Sequence, residues 1–127
     1  MARRQSIYSD AFAHQNPIPA ACRMGNLVMT GIINGSDPHH PETPGTLEEQ
    51  CERMFARIPE VMKAAGGTVD NIVKLNVQMA DLAQRSLLNR FWTQMFPDPA
   101  QRPVRQTAEV ALDGGKLVQC DIVGWID

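Results

Sequence analysis

The segment from Arg102 to Leu112 contains the residue best suited to binding a small anion, Arg105. After Pro103 the residues alternate as in a β-strand, with one face made of Arg105, Thr107 and Glu109 and the other of Val104, Gln106, Ala108 and Val110. A guanidinium in the middle of a strand is costly unless a planar anion receives its fork of donors. The spacing alone leaves two interpretations open: an exposed arginine on an edge strand, or an arginine that binds a carboxylate.

The cysteines and histidines do not have the spacing of metal ligands. The three cysteines are odd in number and far apart, so we expect reduced thiols at Cys22, Cys51 and Cys120. His39 and His40 lie in a proline-flanked segment with no Cys or Glu at ligand spacing, which predicts a solvated loop. We therefore expect no metal site.

Size and charge exclude several classes of partner. A chain of 127 residues predicts a single domain, residues 1–127. The net charge of −2 without a basic stripe argues against a nucleic-acid partner. Hydrophobic residues make up 43% of the chain, but no apolar run approaches the roughly 20 residues that span a bilayer. We expect a cytoplasmic protein that does not interact with membranes.

Two amphipathic helices are predicted around the apolar stripes of the middle of the chain. Thr46 and Glu49 form a capping box before the first helix, Pro59 should kink that helix or shift its register, and Gly66-Gly67 ends it. Its buried stripe is predicted to consist of Leu47, Cys51, Met54, Phe55, Ile58, Val61, Met62 and Ala65. Asp81 is predicted to cap a second helix, whose stripe is Leu87, Leu88, Phe91, Trp92, Met95 and Phe96.

The remaining segments read as strands. A hairpin is predicted from residues 21–24, a Gly25-Asn26 turn and residues 27–34, with a short edge strand at 5–9 before it. Residues 71–79 alternate with Val73, Leu75, Val77 and Met79 on one face, and residues 116–125 form the last strand. The order predicts an α+β fold with two helices on one face of a mostly antiparallel sheet. Residues 27–33 and the last strand are apolar on both faces, so the uncovered face is expected to pack against a second copy of the chain.

Several segments, in order, resemble the RidA/YjgF/UK114 family of reactive-intermediate deaminases, also called endoribonuclease L-PSP-like proteins. Pro103-Val104-Arg105 followed by Glu109-Val110-Ala111 resembles the family signature, with Arg105 on its substrate-binding arginine. Residues 64–67 and 70–74 with Asp81 are similar to the stretch that joins its first helix to its central strand. Residues 88–92 resemble its second-helix motif, with Asn89 on the family asparagine.

The resemblance implies a chorismate-mutase-like fold that assembles into a homotrimeric barrel with sites between subunits. It also implies that the arginine binds the carboxylate of an imine or enamine derived from an amino acid. A glutamate on the last strand then holds the water that hydrolyses the imine to a 2-keto acid and ammonia, and no cofactor takes part. A bidentate guanidinium would orient such a small carboxylate so that a positioned water can reach the neighbouring carbon.

The sequence departs from the family pattern where water is activated. Aligning the end of the last strand puts Gln119 in place of the glutamate, and an amide can accept a hydrogen bond but cannot take a proton. A shift of one residue would put Cys120 there, and a shift of two would put Asp121 there. Asp121 has the same strand parity as Gln119 and is the nearest carboxylate substitute.

The resemblance also implies a changed pocket lining. The family tyrosine is missing, since its region reads Asn16-Pro17-Ile18-Pro19 and the only tyrosine, Tyr8, lies too early. Ile18 would make the pocket more apolar than usual. Thr30 takes the place of a substrate-binding serine, and Thr107 that of a cysteine two residues after the arginine.

Two functions remain open from the sequence. The first is an enzyme that hydrolyses a reactive imine or enamine, with Arg105 and Gln119 as catalytic residues and Asn89, Thr30, Thr107 and Ile18 as substrate-binding residues. The second is a trimeric carboxylate-binding protein with little or no turnover, which the replacement by Gln119 favours. Ribonuclease activity, a label that some family members carry, is disfavoured by the acidic charge balance.

Overall fold

The sheet and helices are taken from a computed structural model that describes residues 3–9, 16–37, 39–40, 42 and 44–127. The described strands are β1 (Arg4–Ile7), β2 (Ala21–Met24), β3 (Leu27–Thr30), β4 (Ile33–Asn34), β5 (Ile72–Met79), β6 (Val104–Glu109) and β7 (Val118–Trp125). The α-helices are α1 (Leu47–Ala64) and α2 (Arg85–Met95). None of the helices in this described part is long and apolar enough to cross a membrane.

The strands form one sheet in the order β1-β2-β3-β7-β5-β6, with β4 also pairing with β7. Every pair is antiparallel except β5 and β6, which run parallel because the chain crosses through α2 between them. The predicted α+β architecture with a mostly antiparallel sheet is therefore confirmed. Strand β6, which carries Arg105, is at one edge of this sheet, and β1 is at the other.

Helix α1 begins at the predicted capping box. The Thr46 hydroxyl accepts the Glu49 N–H at 3.2 Å, and the Glu49 carboxylate accepts the Thr46 N–H at 3.1 Å. All eight residues of the predicted stripe are buried. The predicted shift in register at Pro59 is wrong, because the same stripe continues through Ile58, Val61 and Met62. Pro59 lies on the exposed side of the helix, where its ring and the lost N–H do not disturb the packed face.

Helix α2 starts later than predicted. Asp81 caps a 3-10 turn at Leu82–Gln84, accepting the Ala83 N–H at 2.9 Å, and α2 itself begins at Arg85 without a side-chain cap. Its packing against α1 is marked by stacked rings of Phe55 and Phe91, with centroids 5.8 Å apart. Both helices cover the same sheet face, and their buried side chains pack on Leu75, Val77, Met79, Val118, Cys120 and Ile122.

Two details of the predicted strands are wrong. Val73 was expected on the buried face of β5, but 50% of it is exposed and Ile72 is buried in its place. An irregularity in the β5–β7 register between Ile72 and Lys74 moves Val73 out of the alternation. The second arm of the hairpin is also interrupted, because the chain leaves the ladder after Thr30 and rejoins β7 at Ile33.

The other sheet face carries no helix in the described structure and is partly apolar. We call this surface the open face. Large apolar side chains on it are substantially exposed, namely Met24, Leu27, Met29, Val104 and Trp125. Exposed apolar faces of this kind are typical of surfaces that contact other proteins.

Candidate active site

Arg105 lies on the helix-covered side of the sheet, against α2. It pairs with buried Leu75 of β5, so its side chain points to the same face as the core. Its Nη2 donates to Oδ1 of Asn89 at 2.7 Å. The centre of its guanidinium lies 5.1 Å from the centroid of the Trp92 ring. A hydrogen bond and an aromatic face therefore hold the guanidinium in one orientation.

The other terminal nitrogen of this guanidinium, Nη1, has no hydrogen-bond partner among the described residues. Nη1 of Arg105 is buried, and no atom of the described residues accepts its hydrogen bonds. A buried donor without a partner is costly, of order 1–3 kcal/mol. Burial lowers the pKa of Arg105, and the nearby charge of Arg85 lowers it further. Burial and the Arg85 charge both disfavour the charged form of Arg105, and an anion bound at Nη1 would stabilise that charged form and offset both effects.

The start of α2 is fixed against β6 by Glu109. The Glu109 carboxylate accepts the Leu82 N–H at 3.1 Å, so the last residue of β6 holds the turn that leads into α2. Asn89 and Trp92 follow on one face of α2 and both reach Arg105. The motif that includes Glu109 therefore has a structural role here: it sets the helix that orients the guanidinium.

Gln119 and Asp121 lie on the open face, away from Arg105. Gln119 Nε2 donates to Oε1 of Gln78 at 2.6 Å, and Asn76 Nδ2 donates to Oδ1 of Asp121 at 2.9 Å. Two strand spacings, or about 10 Å, separate β7 from β6, and the sheet itself lies between the two sets of side chains. Within one chain neither residue can contact a molecule bound at Arg105 Nη1.

Cys120 is a buried core residue, so the alignment shifted by one residue does not give a catalytic thiol. Burial raises the pKa of Cys120, with smaller contributions from Asp121 and Cys51. Burial also raises the pKa of Cys51 to about 11. Both thiols stay protonated near neutral pH and are poor nucleophiles. In the described part of the chain, no group of three or more His, Cys, Asp or Glu residues is arranged to hold a metal ion.

The other predicted site residues, Thr107, Thr30 and Ile18, lie at different positions in the fold. Thr107 is half-buried two residues after Arg105 and on the same face of β6. Thr30 lies at the end of β3, three strand spacings or about 14 Å from β6. Its hydroxyl accepts the Ile122 N–H at 2.9 Å and donates to the Gly31 carbonyl. Ile18 is 48% exposed and lies before β2.

One chain thus brings together Arg105, Asn89 and Thr107 but not Gln119, Thr30 or Ile18. Two residues at the arginine were not predicted as site members: Trp92, assigned only to the core, and Arg85. The spacing of Arg85, Asn89 and Trp92, which places all three on one helix face, is the signal in the sequence that could have found them.

Comparison with known proteins identifies the family. A sequence model of the family described as Endoribonuclease L-PSP matches residues 8–123. The 2-iminobutanoate/2-iminopropanoate deaminase of Capra hircus is 33% identical over 120 residues, which cover 92% of this chain and 86% of that protein. The chloroplastic Reactive Intermediate Deaminase A of Arabidopsis thaliana is 30% identical over 96 residues. Those residues cover 75% of this chain but only half of the Arabidopsis protein.

Other relatives differ in location, and a solved structure agrees in fold. The mitochondrial protein mmf2 of Schizosaccharomyces pombe is 30% identical, with 90% of this chain and 93% of that protein covered. Because relatives include mitochondrial and chloroplastic proteins, a cytoplasmic location stays a prediction. The crystal structure of RidA from the Antarctic bacterium Psychrobacter sp. PAMC 21119 superposes with a TM-score of 0.86 at 30% identity, covering 96% of this chain and 99% of that one. The motifs around Arg105, the fold and these matches agree: the chain belongs to the RidA/YjgF/UK114 family, described as Endoribonuclease L-PSP.

Proposed function

We propose that the protein hydrolyses a reactive 2-imino acid, or its enamine tautomer, to a 2-keto acid and ammonia. The observation that carries this proposal is the guanidinium of Arg105, which Asn89 and Trp92 orient while Nη1 is left without a partner. A carboxylate is the planar anion that this fork of donors matches. The relatives named as imine and reactive-intermediate deaminases support the same chemistry.

The reaction needs no oxidant or reductant. The substrate carboxylate accepts hydrogen bonds from Arg105, which fixes the position of the adjacent imine carbon. A water oxygen adds to that carbon and the C=N double bond becomes a C–N single bond. The nitrogen takes up the two protons that the water oxygen gives up, the C–N bond breaks with its electron pair going to nitrogen, and ammonia leaves while the oxygen remains as the keto group. An enamine first takes a proton on carbon to become the imine.

The site is proposed to be completed by another copy of the chain. Arg105 and Gln119 point to opposite sides of the sheet, so a molecule that contacts both must lie between two chains. The exposed apolar side chains of the open face support such an assembly, and the family resemblance points to a homotrimer. In that arrangement Gln119 would orient the attacking water, and Thr30, Thr107 and Ile18 would line the pocket.

A second function is favoured by Gln119 itself. Its amide is hydrogen-bonded to Gln78, and it cannot take a proton from water. The nearest carboxylate, Asp121, already accepts a hydrogen bond from Asn76. A trimer that binds keto acids at Arg105 without turnover is consistent with this set of contacts.

One assay distinguishes the two functions. 2-Iminopropanoate or 2-iminobutanoate is generated in the cuvette by an amino-acid oxidase, and keto-acid and ammonia release are followed above the uncatalysed rate. Wild type, Arg105→Ala and Gln119→Glu are compared, with Arg90→Ala as the matched control. Arg90 is an exposed arginine of α2 whose guanidinium contacts Glu48 and the Phe91 ring and not the Arg105 site.

The enzyme proposal predicts activity in wild type and Arg90→Ala and its loss in Arg105→Ala. An inert wild type together with an active Gln119→Glu establishes the binding protein instead. Equal rates above the uncatalysed rate in wild type and Arg105→Ala refute the role of the guanidinium, since both functions depend on it.

A further inference from the structure

We propose that Arg85 is a second anion-binding residue of this site and that the preferred substrates are imines of dicarboxylic amino acids. This inference rests on the proposed function, because it takes Arg105 as the receptor of the first carboxylate. The juxtaposition that carries it is the guanidinium of Arg85, which has no partner among the described residues and lies on the same helix face as the two side chains that orient Arg105.

Helix geometry places Arg85 beside the Arg105 site. Arg85, Asn89 and Trp92 are four and then three residues apart in α2, so they share one face. Asn89 and Trp92 both contact the Arg105 side chain. Arg85 therefore lies along the same face, about 6 Å from Asn89 toward the helix N-terminus. Its charge is close enough to contribute to the lowered pKa of Arg105.

Arg85 is not explained by the stability of the fold. It is exposed, and none of the described residues forms a salt bridge or hydrogen bond with its side chain. It occupies the first turn of α2, where a cation opposes the helix dipole by about 0.3–1 kcal/mol and where no acidic residue compensates it. The Glu109 carboxylate accepts the Leu82 N–H instead and forms no ion pair with Arg85.

Two neighbouring guanidinium groups without an acid between them favour a ligand with two negative charges. A monocarboxylate neutralises Arg105 and leaves the Arg85 charge unpaired. A short dicarboxylic 2-imino acid can place its first carboxylate at Arg105 and its second along α2 at Arg85. The imine carbon next to the first carboxylate then stays open to water, so the same hydrolysis proceeds.

The test is binding of two stable keto acids that differ only in the terminal carboxylate, 2-oxoglutarate and 2-oxopentanoate. Dissociation constants are measured by calorimetry for the assembled wild-type protein, Arg85→Gln, Arg105→Ala and the control Arg90→Gln. Arg90 is exposed on the same helix and is paired with Glu48, so its replacement matches the change in net charge.

We expect wild type and Arg90→Gln to bind 2-oxoglutarate roughly 10-fold more tightly than 2-oxopentanoate, the effect of one charge-assisted contact. Arg85→Gln should remove that preference and leave 2-oxopentanoate unchanged. If wild type shows no preference, or Arg85→Gln weakens both ligands equally, the role of Arg85 is refuted. In that case loss of both ligands in Arg105→Ala still supports the proposed function. Unchanged binding in Arg105→Ala refutes the proposed function and this inference together.

Discussion

Replacing Asn89 by aspartate should weaken ligand binding without harming the fold. The substitution keeps the shape of the side chain but puts a carboxylate 2.7 Å from Nη2 of Arg105. That carboxylate competes with the ligand for the guanidinium and repels the ligand carboxylate. Two unit charges about 6 Å apart repel by about 3 kcal/mol at an effective dielectric constant of about 20. Solvent at this half-exposed arginine reduces the repulsion to about 1.5 kcal/mol, or roughly a 10-fold weaker Kd.

The assay is isothermal titration calorimetry, in which 2-oxobutanoate is added to wild type and to Asn89→Asp and the Kd of each is measured. The control is Gln94→Glu, which makes the same change in net charge at an exposed position elsewhere on α2. We expect Gln94→Glu to bind within twofold of wild type, and both variants to keep the wild-type free energy of unfolding within about 1 kcal/mol. If Asn89→Asp binds as tightly as wild type, the guanidinium that Asn89 orients is not the ligand receptor.

Further predictions concern the fold and the assembly. Thr46→Ala should lower the free energy of unfolding by about 1 kcal/mol in urea denaturation, because it removes the cap of α1; an unchanged value would contradict this role. Hydrogen bonds from Thr46 lower the pKa of Glu49 below its ordinary value of 4.5. The stabilisation that this cap gives is therefore present above about pH 4.5 and is lost as the pH falls through the lowered pKa of the folded protein. Glu49→Gln should reduce this dependence of the free energy of unfolding on acid pH. Gly35→Ala should lower the free energy of unfolding by about 3 kcal/mol or more, because the added Cβ would lie 1.8 Å from the Gln50 carbonyl oxygen. Gly114→Ala meets no atom within 4 Å and strains only the positive φ of 64°, so it should cost less, about 1–2 kcal/mol. Iodoacetamide should modify Cys51 and Cys120 only after denaturation, since both are buried and their pKa values are raised. Detection by mass spectrometry of either cysteine alkylated in the native protein would contradict this. Met29→Glu on the open face should shift the protein toward monomers in sedimentation, and an unchanged mass would exclude that face from the interface.

Local signals in the sequence predict the helices well. The capping box at Thr46 and the three- and four-residue steps of α1 depend on residues close in the chain, and both are confirmed. The position of Val73 could not be predicted, because the irregularity depends on how β5 pairs with β7, which lies more than forty positions later. The late start of α2 has a similar cause: Glu109 of β6 holds the preceding turn at the Leu82 N–H.

The sequence allows candidate site residues to be named but does not give their arrangement. Alternation in β6 correctly placed Arg105, Thr107 and Glu109 on one face. Alternation within β7 likewise puts Gln119 and Asp121 on one face, but periodicity does not say which face of one strand matches which face of another. That relation follows from the pairing register, in which Arg105 lies beside Leu75 of β5 and Gln119 lies beside Gln78, on the opposite face of the same strand. Only the assembled sheet shows that Arg105 and Gln119 point apart.

If the proposed site forms between chains, this divergence of Arg105 and Gln119 links metabolite binding to self-association. A ligand that contacts both side chains binds the associated chains and not the separated ones. Ligand binding therefore stabilises the association of the chains, and association strengthens ligand binding, by the same free energy. Diluting the protein would weaken its apparent affinity for such a metabolite, and saturating metabolite would hold the chains together at concentrations where they otherwise dissociate.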